Sequence, residues 1–255
     1  MKPAWPISAC LITLNEEKNL PRCLESCRDL VDEIVVLDSG STDQTHAIAR
    51  SFGAVVHHQD WLGFVGQKNK ALELASNRWV LSLDADETLS RGLREEICDL
   101  RSGSEPENYS GFSMPRCVFY RNRWIRHGDW YPDRLVRIFR RDRARFEGGK
   151  VHERLEVRGR IRGLKCDLEH YSFKDAEDFR KRSSHYARLW AETQFENGRR
   201  AGLISPWSHA VFRWLRGYLF RCGFLDGSAG LEIAGLCARE VWLKYTTLRR
   251  MCSKR

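Results

Sequence analysis

Three apolar runs open the chain, at residues 7–14, 33–38 and 79–83, and each ends in a polar, turn-forming segment. They are too short for typical helices and too uniformly apolar for half-exposed strands, so they read as strands buried on both faces. Asn15-Glu16-Glu17 closes the first, and a helical segment follows over residues 18–30. Ser39-Gly40-Ser41-Thr42-Asp43 closes the second with residues that cap helices, predicting a helix through about Ser51. The third runs into Asp84-Ala85-Asp86-Glu87. Strand-loop-helix units in series predict a mostly parallel, doubly wound α/β sheet, because the crossover helices must cover both faces.

After Phe173 the period changes. Pro206 suits a helical first turn, and Trp207, Val211, Trp214, Leu215, Tyr218 and Leu219 share one helix face. Gly223, Gly227 and Gly230 interrupt this pattern around Asp226, and a second stripe runs from Leu231 through Ala238 and Tyr245 to Leu248 before a basic tail. Both stripes suit packing against a neighbouring domain or subunit, or lying in a membrane interface with Arg213, Arg216, Arg221, Arg249 and Arg250 alongside. No run of about 18 uncharged apolar residues occurs, so no transmembrane span is expected.

The candidate chemistry lies at the strand ends. In an extended strand Asp84 and Asp86 project from the same side, and open α/β sheets bind ligands beyond the carboxyl ends of their strands. One or two carboxylates, with substrate phosphates completing the shell, hold Mg²⁺ or Mn²⁺. The plainer alternative is a solvated turn with Asp86 or Thr88 near a helix N-cap.

Charge sharpens the division. The net charge is +9, but residues 1–113 carry 11 Lys and Arg against 18 Asp and Glu, whereas residues 114–165 carry 16 against 6. An acidic first half is therefore followed by a basic segment suited to an anionic partner. A pI near 9.2 is compatible with nucleic acid, yet no helix-turn-helix, zinc-finger, RNA-recognition or KH signature is present, and nucleic acid is not expected as a partner. A basic, non-catalytic membrane or nucleic-acid module would leave Asp38, Asp84 and Asp86 unexplained. A nucleotidyltransferase would call for a glycine-rich phosphate loop after the first strand, where Asn-Glu-Glu stands instead. Nine cysteines without a Cys-x-x-Cys pair point to reduced thiols in the cytoplasm. Cys23 and Cys27, four apart, read as two such thiols rather than a metal pair.

LITLNEEKNL (residues 11–20), VVLDSGSTD (35–43), GQKNKAL (66–72) and SLDADE (82–87) occur in an order and spacing that resemble an inverting family 2 glycosyltransferase of GT-A nucleotide-diphosphosugar fold. WYPDRLVRIFRR (130–141), VHERL (151–155), LEHYSF (168–173) and FLDGSAGLEIA (224–234) extend the likeness to the bacterial lipopolysaccharide core β-1,4-glucosyltransferases. The resemblance implies a GT-A catalytic domain over residues 1–173, with a nucleotide-sugar half (1–113) and an acceptor half (114–173), and a helical extension over 174–255. It implies a UDP-sugar donor with Leu14, Glu16, Asp38, Lys68 and Asp84 around the nucleotide. Asp38 would accept from uracil N3–H, and Lys68 would meet phosphate where relatives often have Arg. Asp84, Asp86 and His170 would serve the metal. Glu153 is the first choice of general base and Asp133 the second, since the chain has His152-Glu153 where Glu-Asp is commoner. The implied acceptor is the heptose region of a lipopolysaccharide core, or a polyprenyl-phosphate or other lipid-linked glycan. The implied location is the anionic cytoplasmic face of the bacterial inner membrane.

Overall fold

The computed structural model describes residues 5–104, 106, 108–148, 153–173 and 175–253. The chain forms two compact units, Met1–Arg116 with Arg134–His170, and Cys117–Asp133 with Tyr171–Arg255.

The first unit begins β1 (Ile7–Thr13), α1 (Leu20–Cys27), β2 (Glu33–Asp38), α2 (Thr45–Ser51), β3 (Val55–His58), α3 (Gly63–Leu74), β4 (Trp79–Asp84), β5 (Glu87–Leu89) and α4 (Arg91–Ser102). β1 pairs in parallel with both β2 and β4, and β2 with β3. Thr13 lies opposite Asp38 and Ile12 opposite Asp84, so these three strands finish at one edge. Side-chain alternation accounts for the two layers. Ile7, Ala9 and Leu11 join Trp79, Leu81 and the inner faces of α1 and α4 on one side, while Cys10, Val35, Leu37 and Val80 meet Ala71 and Leu72 of α3 on the other. Both faces are covered, which is why these strands are apolar runs.

The sheet then turns antiparallel. Beyond it come β6 (Gly111–Tyr120), β7 (Arg123–Ile125), β8 (Asp133–Arg140), the hairpin β9 (Ala144–Gly148) and β10 (Glu153–Val157), then β11 (Ile161–Gly163) and β12 (Leu168–His170). β8 runs antiparallel to β4, and the strand order is β3-β2-β1-β4-β8-β6-β12-β5. The result is the parallel-rich mixed sheet of a GT-A fold. One detail differs from the sequence expectation: β4 stops at Asp84, Asp86 sits in the following turn, and residues 87–89 form a strand rather than leading into a helix. Asp84 and Asp86 therefore do not project as two residues of one strand, and the cap of α4 is Ser90, whose hydroxyl accepts from Leu93 N at 3.2 Å.

The second unit is built on α5 (Ala176–Glu196), α6 (Ser205–Leu215) and α7 (Gly227–Cys252). Asp175 caps α5 by accepting from Glu177 N and Asp178 N at 2.8 and 2.9 Å. Its core joins Tyr120 and Ile125 to Phe179, Ile233, Leu236 and Cys237, with Trp130 and Phe173 packed against it. This packing places residues 117–133 with the helices, whereas the sequence grouped them with the acceptor half and set the boundary at 173. Gly230 permits the tight entry into α7, since a Cβ there would lie 1.8 Å from Gly223 O. The first helical stripe does not face inward: α6 buries Pro206 and Ala210, while Trp207 is 64% and Val211 56% exposed. Among the described residues no helix is long and apolar enough to cross a membrane.

Candidate active site

Asp84, the last residue of β4, is the centre of a charged network in the first unit. Lys68 Nζ lies 2.9 Å from its Oδ1 and Arg137 Nη2 2.7 Å from its Oδ2. Arg137 also reaches Glu87 Oε1 at 2.5 Å, and Arg116 approaches the same oxygen at 3.4 Å. Burial alone would raise the Asp84 pKa, but Arg137 and Lys68 hold it well below the usual carboxylate range. Burial likewise opposes charge on Arg137, and Asp84 and Glu87 outweigh it, keeping the guanidinium protonated. Lys68 is only 6% exposed, so it is no solvated helix residue.

Lys68 brings a second candidate into the same place. Its Nζ is 3.3 Å from Glu153 Oε1, at the start of β10. The adjacent Asn69 explains how: its side chain donates to Phe146 O at 2.9 Å and accepts from Phe146 N at 3.0 Å, pinning the β9–β10 hairpin onto α3. Gln67 anchors the same helix turn, donating to Ser39 Oγ and Gln59 O at 2.9 and 3.0 Å. The preceding residues of the VHERL segment, Val151 and His152, lie outside the described residues.

His170 reaches this edge by strand pairing. β12 runs antiparallel to β5 with His170 opposite Glu87, and His170 Nε2 lies 3.3 Å from Asp86 Oδ2. Burial pushes the Asp86 pKa up, but the His170 contact prevails and lowers it, so the carboxylate stays ionised. His170 Nδ1 is buried with no hydrogen-bond partner among the described residues. One carboxylate oxygen and one imidazole nitrogen fit a divalent cation whose remaining ligands come from phosphate and water. Among the described residues no three His, Cys, Asp or Glu side chains form a ready-made cage. Asp84 faces Lys68 and Arg137 rather than the Asp86–His170 pair.

The nucleotide candidates also divide. Asp38 is fully buried. Its Oδ1 accepts from Gly40 N and Ser41 N at 2.9 and 2.7 Å and lies 2.7 Å from His46 Nε2, and its Oδ2 accepts from Thr13 Oγ1 and Ser41 Oγ at 2.8 and 2.5 Å. Burial raises its pKa, but these donors outweigh burial and hold the carboxyl far below its ordinary value. Its observed role is to fold the turn after β2, so a base edge expected to donate to Asp38 meets an acceptor already supplied with four donors. Glu16 and Leu14 lie on the neighbouring loop: Glu16 N donates to Thr45 Oγ1 at 2.8 Å, and Leu14 is half exposed. Asn15 ties the two loops together, accepting from Thr42 N at 2.8 Å. Cys23 and Cys27 are buried core thiols, with Cys23 Sγ donating to Asp84 O at 3.6 Å.

The profile of the family described as Glycosyl transferase family 2 matches residues 8–156, more than half the chain and all of this network except His170. The chain belongs to glycosyl transferase family 2. Among relatives of this family 2 enzyme, the Rhizobium meliloti protein named lipopolysaccharide core biosynthesis glycosyltransferase LpsC is 30% identical, over 98% of this chain and 97% of the relative. An uncharacterized glycosyltransferase of Rickettsia conorii is 28% identical, over 97% and 91%. Glucosyl-3-phosphoglycerate synthase from Mycobacterium tuberculosis, solved with Mn²⁺, UDP and glucosyl-3-phosphoglycerate, is 29% identical over 46% of this chain and 44% of its own, with a TM-score of 0.35.

The structure of this glycosyltransferase thus groups Lys68, Asp84 and Glu153, and separately Asp86 and His170. Asp133, the other base candidate, belongs with the second unit. Arg137, Glu87 and Asn69 had not been singled out from the sequence. A visible signal for Arg137 is a charge inside the apolar run Leu135-Val136-Arg137-Ile138-Phe139, since an arginine buried in a strand requires a partner.

Proposed function

We propose that this glycosyltransferase moves a hexose, glucose by preference, from a UDP-sugar to the inner core of lipopolysaccharide, with inversion, on the cytoplasmic side of the bacterial inner membrane. The observation that carries the reading is Lys68, held between Asp84 and Glu153 at 2.9 and 3.3 Å. It links the strand edge where a diphosphate would lie to a carboxylate able to act as base. A diphosphate there would compete with Asp84 for Lys68 and Arg137, Lys68 acting as a point charge and Arg137 as a planar donor. Glu153 Oε1 then takes the proton of the acceptor hydroxyl as that oxygen attacks the anomeric carbon from the face opposite the leaving group. Asp86 and His170 would hold Mg²⁺ or Mn²⁺, which supplies neutralising charge for the departing diphosphate. The name of the LpsC relative supports the acceptor class.

The test is transfer of labelled sugar from UDP-glucose, UDP-galactose and UDP-N-acetylglucosamine to core-truncated lipopolysaccharide. Transfer from one donor, abolished by EDTA and restored by Mn²⁺, is the expected result. Glu153→Gln should lower kcat by about 10²–10⁴-fold while UDP-sugar binding persists. A larger loss in a folded Asp133→Asn variant would exchange the two roles. Label appearing only on polyprenyl-phosphate would replace the acceptor.

A further inference from the structure

A pair of exposed aromatic rings stands at the ligand edge of the first unit, beside the charged network. Phe64, Lys68 and Ala71, at i, i+4 and i+7 of α3, share one helix face. Exposure changes along that face: Ala71 is 2%, Lys68 6% and Phe64 45% exposed. Ala71 belongs to the core layer with Cys10, Val35, Leu37 and Val80. Lys68 reaches Asp84, the last residue of β4, and Phe64, one turn further, continues the same face past the strand ends. Trp61 joins it there, its ring meeting that of Phe64 edge to face with centroids 4.9 Å apart, and it is 50% exposed. Open α/β sheets take their ligands at this end of the strands.

The segment that carries the rings is held at both ends. Gln59 N donates to Asp38 O at 2.9 Å, which fixes the start of the segment to the end of β2. The buried Gln67 donates to Gln59 O at 3.0 Å and to Ser39 Oγ at 2.9 Å, and it accepts from Leu62 N at 3.4 Å. Trp61 lies between the two clamped residues. Gly66 allows Leu62 to fold back on α3, since a Cβ there would lie 2.7 Å from Leu62 Cβ. Large rings held in place yet left open to solvent mark a binding surface, and an ordered platform spares a ligand the cost of arranging it.

Position along the edge selects the occupant. The strand order is β3-β2-β1-β4, and at about 4.8 Å between neighbouring strands the segment after β3 stands about 14 Å from the end of β4. The network at Asp84 and the neighbouring Asp86–His170 pair suit a diphosphate, so a nucleotide lying along the edge brings its base to the β3 end. Asp38 is already supplied with four donors there, whereas the face of a base asks for a ring to stack on and not for a hydrogen bond.

We propose that Trp61 and Phe64 form the stacking platform for the base of the nucleotide-sugar donor. The assignment rests on the proposed transfer reaction and adds to it the residues that bind the nucleoside end. Every base offers a π face, so the platform contributes affinity and leaves the choice of base to polar contacts.

The experiment is calorimetric titration of the full chain with UDP, CDP, ADP and pyrophosphate, each with Mg²⁺. Trp61→Ala should weaken the best-bound nucleotide by about 10-fold, the stacking contribution of one base, and Phe64→Ala should weaken it less. Pyrophosphate, which has no base, should bind both variants as it binds wild type. Trp61→Phe, which keeps a ring, should retain most of the nucleotide affinity. Melting followed by circular dichroism checks that each variant is folded, and Phe64→Ala carries the test if Trp61→Ala is not. Nucleotide affinity unchanged in both alanine variants overturns the proposal, and a raised KM for the glycan acceptor in the same variants would make the rings a sugar platform instead. An equal loss for pyrophosphate also overturns it, making the segment a support for Lys68. Tightest binding of CDP or ADP, still weakened by Trp61→Ala, would tell against the UDP-sugar reading alone. UDP binding that ignores both substitutions would tell against the platform alone, and no nucleotide binding by wild type would overturn both.

Discussion

Asp84 in the first unit and Asp129 in the second are each surrounded by cationic side chains, yet the two arrangements do different things with charge. Around Asp84 the cations are themselves buried, and Glu87 and Glu153 share them, so positive and negative groups balance within the network. Around Asp129 three half-exposed arginines share one carboxylate and the balance is left open. A balanced buried network is costly to break and responds only to a ligand that supplies replacement charge. An unbalanced surface cluster is cheap to alter and attracts anions from solution.

Removing one cation from each centre should have very different consequences. Arg137→Leu leaves Asp84 and Glu87 short of their shared partner in a buried place, and should destabilise the protein by about 3–5 kcal/mol, read as a lower midpoint in urea. If that variant unfolds with the wild-type midpoint, the network is not the closed structure described.

Asp38 gives the next largest effect. Asp38→Ala strands donors from Thr13, Gly40 and Ser41, at about 1–3 kcal/mol for a buried unsatisfied group. Its pH dependence has a definite sign. The folded pKa is depressed, so the contribution of Asp38 is fully present above its unfolded value of about 3.9 and is lost as pH falls from there toward the folded value. Urea midpoints taken from neutral to acid pH should fall less steeply in Asp38→Asn than in wild type.

Arg216→Ala should be the mildest, costing under about 1 kcal/mol, because Arg213 and Arg221 still compensate Asp129 and water reaches all three. A loss as large as that of Arg137→Leu would erase the distinction between the two centres.

Much of the first unit was legible because its strands are covered on both faces. β1, β2 and β4 are continuous apolar runs for that reason, and the capping residues after β2 marked α2. β3 was not legible: Val55 is half exposed at the sheet edge and His57 and His58 carry no apolar alternation. β5 was hidden for another reason, since three residues become a strand only through pairing with β12, distant in sequence. The pairing of His170 with Asp86 follows from that contact, and so does the failure of the same-side reading of Asp84 and Asp86. In α6 the apolar period was visible, but periodicity reports a stripe and not whether anything covers it. Lys68 and Glu153 were each identified separately, while the link between them depends on Asn69 clasping a hairpin backbone, which no local pattern announces.

The pairing of β12 with β5 also sets a schedule for biosynthesis. Asp86 leaves the ribosome long before His170, and until residues 168–170 emerge β5 has an open hydrogen-bonding edge with nothing of this chain to close it. A nascent chain at that stage holds the parallel half of the sheet and a strand ready to pair with a neighbour, which is the usual opening for aggregation. Forming this pair and delivering the imidazole are the same event, so a chain interrupted before Leu168 would lack the partner of β5 and its candidate metal ligand together.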